Sequence, residues 1–242
     1  METYIYDHVR TPRGKGKPDG SLHEVTPVWL ASRPLVALRE RNHLDTALID
    51  DVVMGCVVPV GEQGGNIARM AVLQADFDQK VPALQINRYC GSGLEAVSFA
   101  AAKVMAGQAE LAVGGGIEMM SRVPFMADQA AYYSDASFPK RSRYVPVVLA
   151  ADRLADEQGI ARTELDRLAL LSQQRAVAAE AVPALAASRI AVDGLAINDD
   201  DEEDENEVGG EDEDEDGNRL ICLQTLEDTT AGHCFEIKLE RW

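Results

Sequence analysis

The chain has 242 residues, of which 46% are hydrophobic, so it can bury a substantial core in one domain. Its formal charge of −18 is concentrated in residues 199–216, which hold 14 acidic residues and no basic one. Because the rest of the chain is only mildly acidic and offers no basic stripe, we expect no nucleic-acid partner.

Short β-rich runs alternate with longer helical patterns, which is typical of βαβ units and a largely parallel sheet. The predicted strands are residues 3–6, 51–58, 83–87 and 111–114. The predicted helices are residues 25–41, 66–74, 91–105, 148–157 and 164–179, the last capped by Thr163. The fold class is therefore α/β.

Two predicted helices have unusual sequences. Pro34 lies inside the first, and because an interior proline costs about 3 kcal/mol we expect a kink or a break near Ser32. The third helix, residues 91–105, is apolar on nearly every face apart from Glu95 and Lys103. That pattern predicts a central helix covered on most sides.

The alternation of strand and helix patterns becomes less regular in the second half of the chain. Residues 126–144 read as a loop with aromatic anchors. Beyond Ile190 the acidic run has few apolar residues and repels itself, so we expect a disordered tail. Residues 220–226 and 234–242 within this tail have the composition of two short strands.

The sequence lacks targeting segments and metal-ligand spacings, and we base our expectations for cellular location and metal binding on this. The amino-terminal segment has no apolar stretch of the signal-peptide type, and no apolar run is long enough to cross a bilayer. We expect a cytoplasmic protein without a membrane partner. The four cysteines, Cys56, Cys90, Cys222 and Cys234, show no metal-ligand spacing, so we expect neither a metal nor a prosthetic group.

Cys90 stands where a predicted strand gives way at once to a helix. Unpaired backbone N–H groups and the positive end of the helix dipole stabilise an anion there, which favours a thiolate able to attack a carbonyl carbon. Gly91 and Gly93 leave room for an acyl group to approach. On position alone, Cys90 as a small buried hydrophobic residue remains an open alternative.

The sequence around Cys90 also resembles a known family. The thiolase motif Asn-Arg-x-Cys-x-Ser-Gly is matched by Asn87-Arg88-Tyr89-Cys90-Gly91-Ser92-Gly93, and residues 114–124 (GGGIEMMSRVP) resemble the stretch that follows it in thiolases. Residues 10–14 and 61–69 are also similar to thiolase segments. The resemblance runs in order from about residue 3 to about residue 190.

The resemblance implies a thiolase amino-terminal βαβ half-fold over residues 1–122, a partial helical loop domain over 123–190, and the acidic tail over 191–242. It implies acyl transfer from acyl-CoA or 3-ketoacyl-CoA through an acyl-enzyme on Cys90, by thiolytic cleavage or Claisen condensation. The CoA thioester is then a substrate, and no cofactor is needed. Association into a homo-oligomer is also implied.

Three later thiolase motifs, Asn-Glu-Ala-Phe, Gly-His-Pro and Cys-x-Gly, are missing from the sequence. A truncated, catalytically incompetent relative that acts as a subunit or acidic interaction protein is therefore the main alternative. A condensing enzyme of the ketoacyl-synthase type also carries its cysteine at the start of a helix, but the Asn-Arg-x-Cys-x-Ser-Gly motif favours a thiolase. Gly232-His233-Cys234 lacks the context of the histidine motif, and we expect His8, His23 and His43 at the surface.

Two further positions depart from the thiolase pattern. Val148 stands where thiolases have a small residue, usually glycine, and its branched side chain would narrow a wall for the pantetheine arm. Pro34 stands in a helix that thiolases keep free of proline. Both changes are consistent with relaxed constraint.

Overall fold

The computed structural model describes residues 3–192 and the backbone of residues 219–222. The strands are β1 (Val9–Arg10), β2 (Asp51–Gly55), β3 (Ala83–Ile86), β4 (Ala112–Glu118) and β5 (Arg219–Cys222). The helices are α1 (Pro27–Asn42), α2 (Ile67–Gln74), α3 (Ser92–Met105), α4 (Val147–Gln158), α5 (Arg162–Glu180) and α6 (Pro183–Ala186). Single 3₁₀ turns occupy Thr46–Leu48, Gly61–Gln63, Ala131–Tyr133 and Lys140–Ser142.

The strands form one mixed sheet in the order β1-β5-β4-β2-β3. Strand β2 pairs in parallel with both β3 and β4, and its last residue, Gly55, lies opposite Ile86 and Gly116. Strand β5 runs antiparallel to β4 and β1. Parallel neighbours need a crossover connection, and α2 and α3 supply it in turn. The α/β class and the parallel-rich mixed sheet are thus confirmed.

Helices cover both faces of the central strands. On one face α1 packs on β1, β4 and β5 and α2 packs on β2 and β3, and the two helices contribute buried apolar side chains such as Leu30, Leu35, Ile67 and Val72. On the other face α3 packs on β2 and β4 through a smaller cluster built from Val53, Ala96 and Ala100. The larger core therefore lies on the α1–α2 side of the sheet.

Helix α3 approaches the sheet unusually closely because the strands below it carry glycine. A Cβ atom on Gly55 would lie 2.3 Å from the carbonyl carbon of Ser92, and one on Gly114 would lie 2.7 Å from Cα of Val97. Real Cβ atoms do not approach other atoms so closely, so only glycine fits at these two positions. The helix backbone thus packs directly on the strand backbones.

Charged side chains secure the far end of α3. Lys103, in its last turn, forms an ion pair with Asp51 at the start of β2, and Asp51 is 5% exposed. The neighbouring Asp50 accepts hydrogen bonds from the N–H groups of Glu110 and Leu111, at 2.6 and 3.2 Å. These contacts fix the connection from α3 into β4.

The structure corrects three expectations about the helices. Helix α1 continues through Pro34, so the predicted break near Ser32 is wrong, because Leu30, Leu35 and Leu38 around it are buried in the core and offset the lost hydrogen bond; a kink there stays a prediction. Helix α5 begins at Arg162 without a side-chain cap, so Thr163 lies inside it. Helix α3 is not covered on most sides, because Leu94, Phe99 and Met105 are exposed on it.

The first predicted strand, residues 3–6, is also wrong. The side chains of Tyr4 and Tyr6 are mainly exposed, and pairing begins only at β1. Of the two strands predicted in the tail, the one at 220–226 is overlapped by β5. The predicted disorder of the acidic run 199–216 and the strand 234–242 lie outside the described residues.

The region after β4 contributes little to the core. Within α4 and α5 no residue is buried, and several large apolar side chains there are exposed, such as Leu149, Leu154 and Leu170. Across residues 3–192 and 219–222, no helix is both long enough and apolar enough to span a membrane. The division of the chain into three segments stays a prediction.

Replacing Gly114 by alanine should destabilise the fold, because the new Cβ would lie 2.7 Å from the α3 backbone. We expect a loss of about 1–3 kcal/mol in the free energy of unfolding, the usual cost of overpacking a core. The measurement is the urea midpoint of unfolding.

Gly93→Ala is the matched control, since a Cβ at Gly93 meets nothing within 4 Å. Because alanine favours a helix interior over glycine, this variant should gain about 0.5–1 kcal/mol. Equal midpoints for the two variants would contradict the close packing of α3 on β4.

Candidate active site

The candidate site lies at the edge of the sheet where the parallel strands β2, β3 and β4 end. The chain leaves these strands at Cys56, Asn87 and Met119, so three loops meet at one edge. Ligands of parallel sheets commonly bind at the carboxyl ends of the strands. The edge therefore brings the residues around Cys90 next to those that follow β2 and β4.

The connection from β3 to α3, residues 87–92, will be called the Cys90 turn. Asn87 opens it with two side-chain hydrogen bonds: Nδ2 donates to the carbonyl of Val57, and Oδ1 accepts from the N–H of Tyr89, both at 2.8 Å. The first bond ties the turn to the loop after β2. The second holds Tyr89, whose φ of 49° is in the left-handed region that few non-glycine residues adopt.

Ser92 closes the same turn from the other end. Its hydroxyl accepts the N–H of Arg88 at 2.9 Å and donates to the carbonyl of Tyr89 at 2.5 Å. The residue is 4% exposed and is the first residue of α3. A side chain on each side of Cys90 therefore fixes the backbone of the turn.

Cys90 itself is exposed and free. It directly precedes Gly91, the N-cap of α3, so its thiol lies at the positive end of the helix dipole. Beside it Arg88 extends over the first turn of the helix, where its Nη2 lies 2.9 Å from Oε1 of Glu95. An exposed thiol at a helix amino terminus is positioned to attack an approaching carbonyl carbon.

A buried polar network occupies the same edge below the turn. Glu118, the last residue of β4, accepts the N–H of Val57 at 2.6 Å and the Nε2 amide of Gln63 at 2.8 Å. Gln63 is fully buried, and its Oε1 accepts the N–H of Met119 at 2.6 Å. The network joins the loops after β2 and β4.

Cys56 is the second cysteine at this edge, and its environment is opposite to that of Cys90. Burial and, to a smaller extent, the negative charge of Glu118 together raise its pKa to about 12, against a backbone hydrogen bond at Val58 that acts in the other direction. Cys56 therefore remains a protonated thiol at neutral pH. Since thiolates are the nucleophilic form, Cys56 is excluded as a nucleophile.

Metal ligands and histidines do not gather at the site in the part of the chain that the structure describes. There, no three His, Cys, Asp or Glu side chains come close enough to hold a metal ion. His43 is exposed, as expected, whereas His8 and His23 are partly buried. His233 lies outside the described residues, as does Cys234.

Comparison with known proteins gives the family. The model of the thiolase amino-terminal domain matches residues 3–209. The chain is 35% identical to the steroid 3-ketoacyl-CoA thiolase FadA6 of Mycobacterium tuberculosis over 189 residues, which are 74% of this chain and 46% of that protein. The chain belongs to the thiolase family.

Two further relatives give the same result. A 3-oxoadipyl-CoA/3-oxo-5,6-dehydrosuberyl-CoA thiolase of Escherichia coli is 38% identical, with 76% of this chain and 50% of the relative covered. A beta-ketoadipyl-CoA thiolase of Pseudomonas aeruginosa is also 38% identical, with 72% and 47% covered. The chain therefore spans about half the length of the curated relatives it matches, and the matched half is the amino-terminal one.

Within this thiolase domain the sequence located the Cys90 turn but not the polar network below it. In the sequence Glu118 is marked only as part of a family motif, and Gln63 only as part of a segment similar to thiolases. A long-range contact between residues 55 positions apart leaves no periodic signal in the sequence. The one sequence feature that points to this network is an acidic residue, Glu118, at the end of an otherwise apolar strand.

The predicted aromatic anchors are also present in the loop after β4. Five aromatic rings form a connected cluster there, in which contacting rings have centroids 5.2–6.0 Å apart and meet mostly edge to face. They belong to Phe125, Tyr132, Tyr133, Phe138 and Tyr144. Such pairs stabilise a segment that has little other core. Val148 follows this cluster in the first turn of α4, where it is 54% exposed.

Alkylation rates should distinguish Cys90 from Cys56, the two cysteines of this thiolase domain whose side chains the structure describes. At pH 7–8 iodoacetamide is expected to modify Cys90 and to spare Cys56, because Cys56 is buried and its raised pKa leaves almost no thiolate. Peptide mapping by mass spectrometry measures the rate at each residue. In urea both residues should react, which controls for intrinsic differences. Equal rates in the folded protein would remove the physical basis for choosing Cys90.

Proposed function

We propose that this chain carries the acyl-accepting half of a thiolase-type acyltransferase, with Cys90 as the nucleophile. The observation that supports this most directly is the exposed thiol at the start of α3 within a domain of the thiolase family. The relatives named above are thiolases of 3-ketoacyl-CoA substrates. The proposed substrates are accordingly acyl-CoA and 3-ketoacyl-CoA thioesters.

In the first half-reaction, the Cys90 thiolate attacks the thioester carbonyl, and a tetrahedral intermediate forms. Its collapse breaks the bond from the carbonyl carbon to the CoA sulfur, so the acyl group stays on Cys90 and CoA leaves as a thiol after taking up a proton. With a 3-ketoacyl-CoA, the attack falls on the 3-keto carbon, the bond from it to the α-carbon breaks, and the enolate that leaves takes up a proton to become acetyl-CoA. Backbone N–H groups at the start of α3 would stabilise the oxyanion.

The complete cycle needs more than one cysteine. Groups that activate a nucleophile and return a proton act as a unit with it, and the loss of one can cost about as much as the loss of all. The Gly-His-Pro and Cys-x-Gly motifs that supply these groups in thiolases do not occur in the 242 residues. We therefore propose that these residues alone carry out acylation but not sustained turnover.

The second candidate is a catalytically incompetent relative that acts as a subunit or as an acidic interaction protein. Helix α3 favours it, because Leu94, Phe99 and Met105 are each at least 40% exposed on its outer face. Exposed apolar side chains in such number promote association. We propose that the chain self-associates or forms a homo-oligomer in the cytoplasm, and that it needs no metal or prosthetic group.

Incubation with acetyl-CoA should give one acetyl adduct per chain, mapped to Cys90 by mass spectrometry. CoA release, followed with a thiol reagent, should stop at about one equivalent because acyl transfer from Cys90 has no acid/base partner. Acetoacetyl-CoA and longer acyl-CoAs extend the assay to other chain lengths.

Cys90→Ala should abolish the adduct, whereas Cys56→Ala should leave it, since Cys56 is buried and protonated. An adduct on the Cys90→Ala variant would contradict the assignment. CoA release over many turnovers by the purified chain, lost in Cys90→Ala, would contradict the acylation-only proposal. No adduct with any acyl-CoA would favour the incompetent relative.

A further inference from the structure

The backbone immediately before Cys90 adopts a conformation that requires support. Tyr89 has φ 49°, which is sterically unfavourable for a tyrosine unless its surroundings stabilise it. Its side chain is 63% exposed, so packing of the ring does not provide that support. The hydrogen bonds of its backbone must do so.

Two side chains make such hydrogen bonds, one from each end of the Cys90 turn, and the backbone N–H of Ser92 also donates to the Tyr89 carbonyl at 2.9 Å. Asn87 Oδ1 accepts the N–H of Tyr89, and Ser92 Oγ donates to its carbonyl. Ser92 differs from Asn87 in being buried and in bonding Arg88 as well. Its hydroxyl thus joins the residues on either side of the Arg88–Tyr89 peptide to the start of α3.

Ser92 is itself fixed in place by the sheet. Its backbone rests on Gly55, where an added Cβ would come within 2.3 Å of the Ser92 carbonyl carbon. Strand β2 therefore fixes the position of Ser92, and the Ser92 hydroxyl holds the backbone conformation of Tyr89. The conformation of Tyr89 in turn orients the next residue, Cys90.

We propose that Ser92 is a positioning residue for Cys90: its hydroxyl holds the left-handed Tyr89 and thereby aims the thiol for attack on a bound thioester. This inference rests on the proposed acyl transfer. Ser92 does not touch the substrate, so its loss should slow acylation of a bound acyl-CoA without weakening the binding. Misplacement of a reacting atom by about 1 Å can cost about 100-fold in rate.

The test compares Ser92→Ala with the unmodified full chain in single-turnover acylation by acetyl-CoA. We expect the rate constant at saturating acetyl-CoA to fall about 10- to 100-fold, with an unchanged half-saturation concentration. Alkylation of Cys90 by iodoacetamide should be unchanged, because a small reagent reaches an exposed thiol without orientation. Urea unfolding establishes that each variant is folded under the assay conditions.

Two variants on the same helix and one in the same turn sharpen the comparison. Ser92→Thr keeps the hydroxyl and should restore the acylation rate. Ser98→Ala makes the same substitution at an exposed position of α3 and should acylate like the unmodified chain. Asn87→Ala removes the other side-chain bond to Tyr89 and should slow acylation with unchanged half-saturation, which keeps the test decisive if the threonine variant does not fold.

The outcomes separate the positioning role from the proposed function. Acylation of Ser92→Ala at the unmodified rate, or a parallel loss of acylation and alkylation, would overturn the positioning role alone. If acetyl-CoA does not acylate the unmodified chain but S-phenyl thioacetate does, and Ser92→Ala slows that reaction, the proposed function falls and the positioning role stands. If neither thioester acylates Cys90, both fall.

Discussion

The direct packing of helix α3 on the glycine positions of β2 and β4 is the constraint on which the rest of the structure depends. Gly55 and Gly114 leave no atom between the helix backbone and the strands, so α3 has one permitted depth and one permitted register. The Lys103–Asp51 ion pair then fixes its far end. Because α3 connects β3 to β4, its placement also determines how the parallel strands are joined.

The chemistry of the chain follows from this placement. The amino terminus of α3 is held at the sheet edge where three loops meet, and Cys90 is presented there to solvent. Only a few residues away, Cys56 is buried beside Glu118 and is kept protonated. Two cysteines at one edge of one sheet thus differ in exposure, and burial together with the charge of Glu118 holds Cys56 in its protonated form.

The same helix presents apolar side chains to solvent. Its inner face is closely packed on the strands, whereas Leu94, Phe99 and Met105 elsewhere on it are exposed. A helix that is apolar on both faces normally has neighbours on both sides. Acylation at Cys90 and association through α3 are therefore linked properties of one element in the function we propose.

The sequence by itself determined the α/β class, the parallel strands β2, β3 and β4, and the family, because periodicity and the motif around Cys90 are local signals. It misjudged Pro34 and residues 3–6, where burial or its absence overrides local preference. Tertiary structure alone decided the pKa of Cys56, the Glu118–Gln63 bond and the depth of α3. These depend on groups far apart in the chain, whose contact has no local signature.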